Sequence, residues 1–278
     1  MIRSLPALAL LLVGCAGGDE TAQASQDEAV VAVERPTIVS LNPCTDAILA
    51  EVTAPGQLLA ISHYSNDPQA SSMDAAIAAK FQSTGGTVEE VLALDPDVVV
   101  AGSFLAPVTR AGFADAGIRV VTFGIADSVA TSEAQIRELA ELAGDKAAGE
   151  ELVGRVEEAL GKAAPGDAQV RTAVLWQPGG IVPGENALVS ELMERAGFAS
   201  HTVFRGLGQA DYLALEEVLA DPPDVLLVAG GEAGQGHPVL DKLPNMRREA
   251  FDTSLIYCGG PTIIRAIERL AQIRRSLS

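Results

Sequence analysis

The sequence predicts an α/β protein made of two Rossmann-like βαβ lobes, each with a mostly parallel sheet, joined by a long connecting helix. A ten-residue segment occurs twice, at 89–98 and at 216–225, with eight identical positions. Each copy reads as an acidic helix turn, a proline and a buried strand. Strands alternate with helices on both sides of the helical stretch 128–163, as is typical of parallel sheets. Two such lobes leave a cleft between them, where small ligands bind.

The N-terminus is interpreted as a lipoprotein signal peptide that covers residues 1–15. Arg3 supplies a positive charge, and the apolar run 5–13 is too short to span a bilayer as a helix. The run ends in Gly14-Cys15, and small residues before a cysteine resemble the bacterial lipobox, in which Cys15 carries the lipid. A signal peptide with an incidental cysteine is the alternative. Residues 16–35 lack periodicity and are interpreted as a flexible, acidic tether.

The N-terminal lobe is assigned to residues 36–126. Thr45 or Asp46 is expected to cap the first helix, and Thr87 with Glu90 has the spacing of a capping box. The pattern predicts strands at 37–41, 58–62, 98–101 and 117–123, and helices at 47–51, after 87 and at 106–116.

Residues 127–166 are assigned to a helical connector, and residues 167–278 to the C-terminal lobe. Apolar residues recur with helical spacing from Ile136 to Ala143 and from Leu152 to Leu160, and Gly144-Asp145 is the place where the connector divides if it forms two helices. For the C-terminal lobe the pattern predicts strands at 172–176, 225–228 and 255–258, and helices at 190–196, 213–220 and 262–277.

Composition excludes several classes of function. The net charge of −18 argues against nucleic acid or an anionic bilayer as a binding surface. The sequence has no Gly-x-Ser-x-Gly, His-Glu-x-x-His or phosphate-loop motif, so no enzyme is predicted. Of the three cysteines, Cys44 and Cys258 remain once Cys15 is assigned to the lipid. In an oxidising compartment they form a disulfide or stay as two separate buried thiols, and both readings remain open.

Several segments together resemble one family. A lipobox is followed by a strand ending in Ser40-Leu41-Asn42-Pro43, by the segment 61–68 (Ile-Ser-His-Tyr-Ser-Asn-Asp-Pro), and by the duplicated acidic element. The chain is similar to the substrate-binding proteins of ABC importers for vitamin B12, haem and ferric siderophores. The resemblance implies a periplasmic, lipid-anchored monomer that captures a bulky metal chelate between its lobes without covalent chemistry. It implies an ABC permease and its ATPase as partners, and no cofactor beyond the chelate.

The resemblance assigns permease docking to two glutamates. Family members carry a glutamate at the outer tip of each lobe that pairs with an arginine of the membrane subunits, and the matching positions are Glu89 and Glu216. Carboxylates at equivalent places on two lobes suit a two-fold symmetric partner. The alternative is that both are first-turn acids favoured by the helix dipole.

Five residues are candidates for ligand binding. Tyr64 falls where B12-binding members carry a cleft aromatic, and His63 lies beside it. Trp176 ends a predicted strand, where a flat ring can face a planar ligand, with core packing as the alternative. Tyr212 precedes the second acidic helix, and Gly260 lies in a loop that replaces the aromatic-rich loop of B12-binding members.

Two observations narrow the ligand. Asp67 stands where some haem-binding members carry an iron-ligating tyrosine, so haem is less expected than a cobalamin-like corrinoid or a ferric siderophore. A zinc- or manganese-binding member needs several converging ligands, whereas His63, His201 and His237 are scattered, so no metal site is predicted. The remaining alternatives are an envelope lipoprotein sensor or enzyme built on the same two-lobe fold, and a zinc- or manganese-binding member.

Overall fold

The computed structural model describes residues 35–208, 210–232 and 234–277, and it confirms the predicted α/β fold with two lobes. The signal peptide with Cys15, and residues 16–34 of the tether, lie outside the described residues. Within the described part of the chain, no helix is both long and apolar enough to cross a membrane.

The N-terminal lobe contains a sheet whose paired strands are all parallel. Its strands are β1 (Ile38–Ser40), β2 (Leu58–Ser62), β3 (Ser83–Thr84), β4 (Val98–Gly102) and β5 (Arg119–Phe123). Its helices are α1 (Pro43–Val52), α2 (Ala75–Ala78), α3 (Val88–Leu92) and α4 (Pro107–Asp115). The strand order is β3-β2-β1-β4-β5, so the carboxyl ends of all these strands lie at one edge.

The connector forms two helices, α5 (Val129–Leu142) and α6 (Lys146–Ala163). Gly144 has a left-handed backbone (φ 73°), and the Asp145 side chain caps α6 by accepting from the Ala148 amide. The apolar residues predicted to form the stripes are buried or partly buried. The two helices pack so closely that a Cβ on Gly149 would lie 2.5 Å from the Cβ of Ala140. This position therefore requires glycine.

The C-terminal lobe repeats the parallel arrangement. Its strands are β6 (Arg171–Trp176), β7 (Ile181–Val182), β8 (Phe198–Ser200), β9 (Asp211–Tyr212), β10 (Val225–Val228) and β11 (Arg247–Ala250). Its helices are α7 (Leu188–Arg195), α8 (His201–Phe204), α9 (Leu215–Ala220) and α10 (Thr262–Arg275). The main sheet has the order β11-β10-β6-β8, while β7 and β9 form a short antiparallel ribbon.

The prediction of a strand at 255–258 is wrong. The edge of the sheet is taken by β11, whose sequence Arg-Arg-Glu-Ala has no apolar pattern, because most of its side chains are exposed at the edge. Asp252 instead caps a 3₁₀ turn at Thr253–Leu255, and Leu255 and Ile256 pack partly buried against the core. An apolar run need not be a strand when a neighbouring helix supplies the burial.

Buried side chains form one continuous core that runs through both lobes and the connector. It includes Ile48 of α1, Ile136 of α5, Val156 of α6 and Ile267 of α10. The outer face of each sheet is covered separately, by a cluster around Phe113 in the N-terminal lobe and one around Trp176 in the C-terminal lobe. The two lobes are therefore packed against a shared pair of helices, with the carboxyl edges of their sheets left for a cleft.

Candidate functional site

A cleft lies between the lobes at the carboxyl ends of the parallel strands, the usual ligand position in open α/β sheets. Loops that follow β1, β4 and β5 line a hollow on its N-terminal side. Residues that follow β6 line a second hollow on its C-terminal side. The two hollows share Ile125, Ala126, Tyr257 and Cys258, which therefore occupy the middle of the cleft.

Large apolar side chains line this cleft and remain exposed. Phe104 after β4 is 84% exposed, and Ile125 after β5 is 73% exposed. Tyr257 and Ile181 face them from the C-terminal lobe with 43% and 41% exposure. Side chains of this size are normally covered, so their convergence at one cleft indicates a surface that a ligand covers.

The sequence patterns do not identify Phe104, Ile125 or Tyr257 as candidates for ligand binding. The available signal was their position, because Phe104 and Ile125 lie two residues after the ends of the parallel strands β4 and β5. Tyr257 lies within the segment 255–258 that was wrongly predicted as a strand, so the sequence did not indicate that it lines the cleft.

The polar side chains that line these two hollows are mostly uncharged, whereas Arg265 and Arg269 line a third hollow at the carboxyl ends of β10 and β11. The uncharged side chains are those of Asn42, Ser103, Gln135, Gln177 and Asn186. Asp127 is the one charged side chain among the described residues that line the two hollows, and its carboxylate accepts a hydrogen bond from the Thr131 hydroxyl at 2.9 Å.

Cys44 and Cys258 are joined in the structure by a disulfide whose Cα atoms are 5.1 Å apart. Both residues line the N-terminal hollow. Cys44 lies in the first turn of α1, and Cys258 lies just before α10, so the bridge links the two lobes at the cleft. Asn42 orders the same helix start by accepting the Cys44 amide at 2.8 Å.

Two predicted ligand-binding residues, Trp176 and Gly260, are buried and contact other parts of the protein. Trp176 is buried in the outer core of the C-terminal lobe, and its indole N–H donates to the Leu213 carbonyl at 3.0 Å. Gly260 is also buried: it has φ 62°, and a Cβ there would lie 2.6 Å from Ile48. Its amide donates to the Ser132 hydroxyl at 2.7 Å. Gly260 therefore allows the lobes to approach each other.

The other three candidates, His63, Tyr64 and Tyr212, lie outside the residues that line the two hollows. Tyr64 is 53% exposed in a 3₁₀ turn that follows the carboxyl end of β2. The His63 and Tyr64 rings are 4.0 Å apart between centroids, and His63 Nδ1 is 3.3 Å from the Thr84 carbonyl. Tyr212 is exposed on β9, paired with Ile181 of the cleft wall. Tyr64 and Tyr212 are therefore exposed aromatic side chains outside the two hollows.

A buried acid supports the turn that carries Tyr64. Asp46 is fully buried, and its Oδ2 accepts from the Ser62 amide at 2.9 Å and from the Ser65 hydroxyl at 2.6 Å. Burial raises the pKa of Asp46 to about 8, although hydrogen bonds from serines oppose the shift.

Glu89 and Glu216 are exposed, and neither has an ion-pair or hydrogen-bond partner for its carboxylate among the described residues. The following glutamate in each copy bonds to its own helix start. The Glu90 carboxylate accepts from the Thr84 hydroxyl at 2.9 Å and the Gly85 amide at 2.7 Å. The Glu217 carboxylate accepts from the Ala214 amide at 3.0 Å. The repeat therefore leaves its first glutamate free for a partner and uses its second for capping.

The histidines lie in separate places. His201 Nε2 is 3.4 Å from the Asp221 carboxylate, and the His237 ring accepts the Val239 amide. Across residues 35–208, 210–232 and 234–277, no three His, Cys, Asp or Glu side chains gather in a way that could hold a metal ion.

A second cavity, of about 470 Å³, lies on the flank between α1, α2 and α10. Its wall includes the Arg155–Glu51 ion pair, 2.8 Å between Nη2 and Oε2, and Arg265, whose guanidinium donates to the Ser72 carbonyl. Only Arg155 and Glu51 are ion-paired in this wall, and the hydroxyls of Ser72 and Thr262 have no hydrogen-bond partner among the described residues. The cleft at the strand ends is the stronger candidate site because exposed apolar side chains from both lobes converge there.

A two-lobe fold with a cleft at the strand ends defines a class of ligand-capturing protein. The profile of the family described as periplasmic binding protein matches residues 38–248, and the chain belongs to that family. No curated protein matches the chain.

Solved structures share the fold at low sequence identity. The periplasmic heme-binding protein RhuT from Roseiflexus sp. RS-1, in apo form, is 21% identical with a TM-score of 0.67, covering 87% of this chain and 99% of that one. The periplasmic heme-binding protein HutB of Vibrio cholerae is 15% identical with a TM-score of 0.69, and the match covers 85% of this chain and 98% of that one. The periplasmic vitamin B12-binding protein BtuF of Vibrio cholerae is 16% identical with a TM-score of 0.65, and the match covers 86% of this chain and 96% of that one.

Proposed function

We propose that this protein is the substrate-binding protein of an ABC importer, anchored in the periplasm through lipid on Cys15 and acting as a monomer. It holds a bulky metal chelate in the cleft between its lobes and delivers it to the permease and ATPase. Membership of the periplasmic binding protein family supports this role. The names of its structural neighbours, two heme-binding proteins and one vitamin B12-binding protein, support a large and partly flat ligand.

One observation carries the proposal: exposed apolar side chains from both lobes converge on the cleft. Phe104 and Ile125 come from the N-terminal lobe, and Tyr257 comes from the C-terminal lobe. A flat chelate that enters here covers these side chains, and burial of that apolar surface supplies the free energy of binding.

Ligand capture is tested by thermal unfolding of the purified protein with a cobalamin, a haemin and a panel of ferric siderophores. A specific ligand raises the melting temperature, since binding to the folded state alone stabilises by about 2.7 kcal/mol at a hundredfold excess over Kd. No shift with any chelate would count against capture.

The site within the protein is tested by Phe104→Ala, with Phe204→Ala as the matched control. Both side chains are exposed, 84% and 74%, but only Phe104 lines the cleft. We expect Phe104→Ala to weaken ligand binding by about tenfold or more, because apolar contact is lost, and Phe204→Ala to leave Kd unchanged. Equal effects of both changes on Kd, measured by calorimetry, would place the ligand elsewhere.

A further inference from the structure

The cavity on the flank between α1, α2 and α10 shares no lining residue with the two hollows at the strand ends. Helix α1 contributes different residues to each: Cys44 and Ile48 line the N-terminal hollow, whereas Ala47 and Ala50 line the flank cavity. Both lobes supply its wall, and Arg155 of the connector completes it. Its volume of about 470 Å³ is typical of sites that hold small ligands.

Most of the wall of the flank cavity is apolar. Six apolar side chains line it: Ala47, Ala50, Met73, Ile77, Pro261 and Ile264. Ala50, Ile77 and Ile264 pack against the core but are only partly buried, so their outer surfaces remain in contact with water. A ligand with an apolar body is therefore stabilised here, because it removes this surface from water.

The charges of the wall leave one cation without a counter-ion. The charged side chains are Glu51, Asp74, Arg155 and Arg265. Glu51 pairs with Arg155, and the Asp74 carboxylate caps α2. Arg265 has no ion-pair partner among the described residues, and its guanidinium donates only to the Ser72 carbonyl of the other lobe. That bond holds the guanidinium in place, and its remaining N–H groups are left as donors for an anion.

Two buried hydroxyls of the same wall also lack a partner. Ser72 and Thr262 are each 1% exposed, and neither hydroxyl oxygen has a hydrogen-bond partner among the described residues. Buried hydroxyls are nearly always bonded, because an unmade bond costs free energy. Ser72 supplies the carbonyl that Arg265 contacts, and Thr262 lies three residues before Arg265 on α10, so these groups lie at one end of the cavity.

We propose that the flank cavity is a second ligand site, which takes a small amphiphile with one carboxylate and an apolar body. The carboxylate accepts from the Arg265 guanidinium and from the hydroxyls of Ser72 and Thr262. The apolar body covers Ala50, Ile77 and Ile264. An amine of the same shape is disfavoured, since it meets Arg265 as a like charge and both acids of the wall are already bonded. This site is independent of the ligand that the cleft captures.

Three probes with the same apolar body and different charge test the site: 4-phenylbutanoate, 4-phenylbutanamide and 4-phenylbutylamine. Each is titrated into the purified protein and followed by two-dimensional amide NMR. We expect the carboxylate to bind about tenfold more tightly than the carboxamide, and the amine more weakly still. The amide shifts should concentrate at residues 72–77 and 261–265. Equal affinity for the three probes, or shifts confined to 102–104 and 256–258 at the cleft, overturns the proposal.

The cation is tested by Arg265→Gln, with Arg275→Gln as the matched control. Arg275 is also exposed on α10 but does not line the flank cavity. We expect Arg265→Gln to weaken binding of 4-phenylbutanoate by about tenfold and to leave the carboxamide nearly unchanged, while Arg275→Gln alters neither. Equal loss of both probes in Arg265→Gln would show that the side chain acts through packing and not through its charge, which contradicts the proposed carboxylate contact.

A second variant leaves the cation intact, because Arg265→Gln also breaks the bond to Ser72 and Arg265 lines the third hollow as well. Ala50 lines the flank cavity and none of the three hollows, so Ala50→Leu fills the apolar part of the cavity alone. We expect this variant to weaken 4-phenylbutanoate binding by about tenfold. Unchanged affinity in Ala50→Leu would place the carboxylate in the third hollow or elsewhere and overturn the proposal.

Discussion

At the carboxyl ends of β1 and β2, the Asp46 side chain is buried without a cation beside it. Its Oδ2 is bonded to Ser62 and Ser65, whereas its Oδ1 has no partner among the described groups. A carboxylate in such a place is poorly solvated, which is why burial raises the pKa of Asp46 from its usual 3.8 to about 8. The same acid fixes the turn that carries Tyr64.

Asp46 therefore makes folding stability depend on pH. Its pKa is raised in the folded state, so the folded protein binds more protons than the unfolded chain between about pH 4 and 8. The resulting stabilisation is complete below pH 4 and is lost as the pH rises to 8. We expect Asp46→Asn, which keeps an acceptor for Ser62 and Ser65, to gain stability relative to wild type across this range, by at most about 1.4 kcal/mol per pH unit.

Urea unfolding of both proteins at several pH values measures this difference. Asp74→Asn is the control, since Asp74 is an exposed helix cap that accepts from the Ala76 amide. A difference in stability between wild type and Asp46→Asn that stays constant from pH 5 to 8 would show that folding does not raise the pKa of Asp46.

The sequence predicts the positions of single residues along the strands better than it predicts which way their side chains face. Trp176 does end a strand, as predicted, but its side chain points to the outer face of the sheet, where β7 and α9 cover it. Alternation along a strand does not say which face a ligand will meet. Phe104 and Ile125 were overlooked because loop residues carry no periodicity, and only the parallel topology places them at the cleft.

At the scale of elements, the duplicated segment makes the same contacts in both lobes. Asp97 accepts from the Thr37 amide at 2.7 Å, and Asp224 accepts from the Thr172 amide at 2.8 Å. Each aspartate amide also donates to the hydroxyl of the same threonine. The Pro-Asp part of the repeat thus ties the strand it begins to the neighbouring strand. The aspartate of each repeat is therefore bonded to the neighbouring strand and the second glutamate caps its helix, whereas the carboxylate of the first glutamate is free to bind a partner.

Charge reversal at both free glutamates tests docking. Glu89→Arg with Glu216→Arg places like charges against the permease arginines that the proposed docking requires, which costs several kcal/mol in association. Both side chains are exposed, so each change is expected to alter stability by no more than about 0.5 kcal/mol. We expect uptake of the ligand into cells to be lost while ligand affinity stays at the wild-type value.

The matched control is Glu138→Arg with Glu157→Arg, which reverses two exposed charges on the connector. Uptake at the wild-type rate in the docking double variant would remove Glu89 and Glu216 from the interface. Loss of ligand binding in that variant would place them at the cleft or the core instead.

At the scale of the whole molecule, the sequence predicts two lobes joined by a helical connector, but it does not predict the contacts through which the lobes pack together. The repeat and the alternation of strands with helices predicted two parallel sheets on either side of a helical connector. The continuous core through α1, α5, α6 and α10 depends on tertiary packing of segments far apart in the chain. For the same reason, the sequence left the pairing of Cys44 and Cys258 open: they are 214 residues apart.

The Cys44–Cys258 bridge joins the lobes at the cleft, beside the close approach of Gly260 to Ile48 and its bond to Ser132. A covalent link at this point fixes the separation of the two lobes beside the cleft. It also restricts the unfolded chain, since it closes most of the length of the folded body into one loop.

Replacing both cysteines with serine is therefore expected to lower the free energy of unfolding by about 2–5 kcal/mol. Urea unfolding of the double variant against wild type measures this loss, and hydrogen exchange around Gly260 should show faster opening at the junction than in wild type. Reductant should destabilise wild type by a similar amount and leave the double variant unchanged, which separates loss of the bridge from loss of cysteine packing. Two titratable thiols in periplasmically expressed wild type, denatured without reductant, would exclude the bridge.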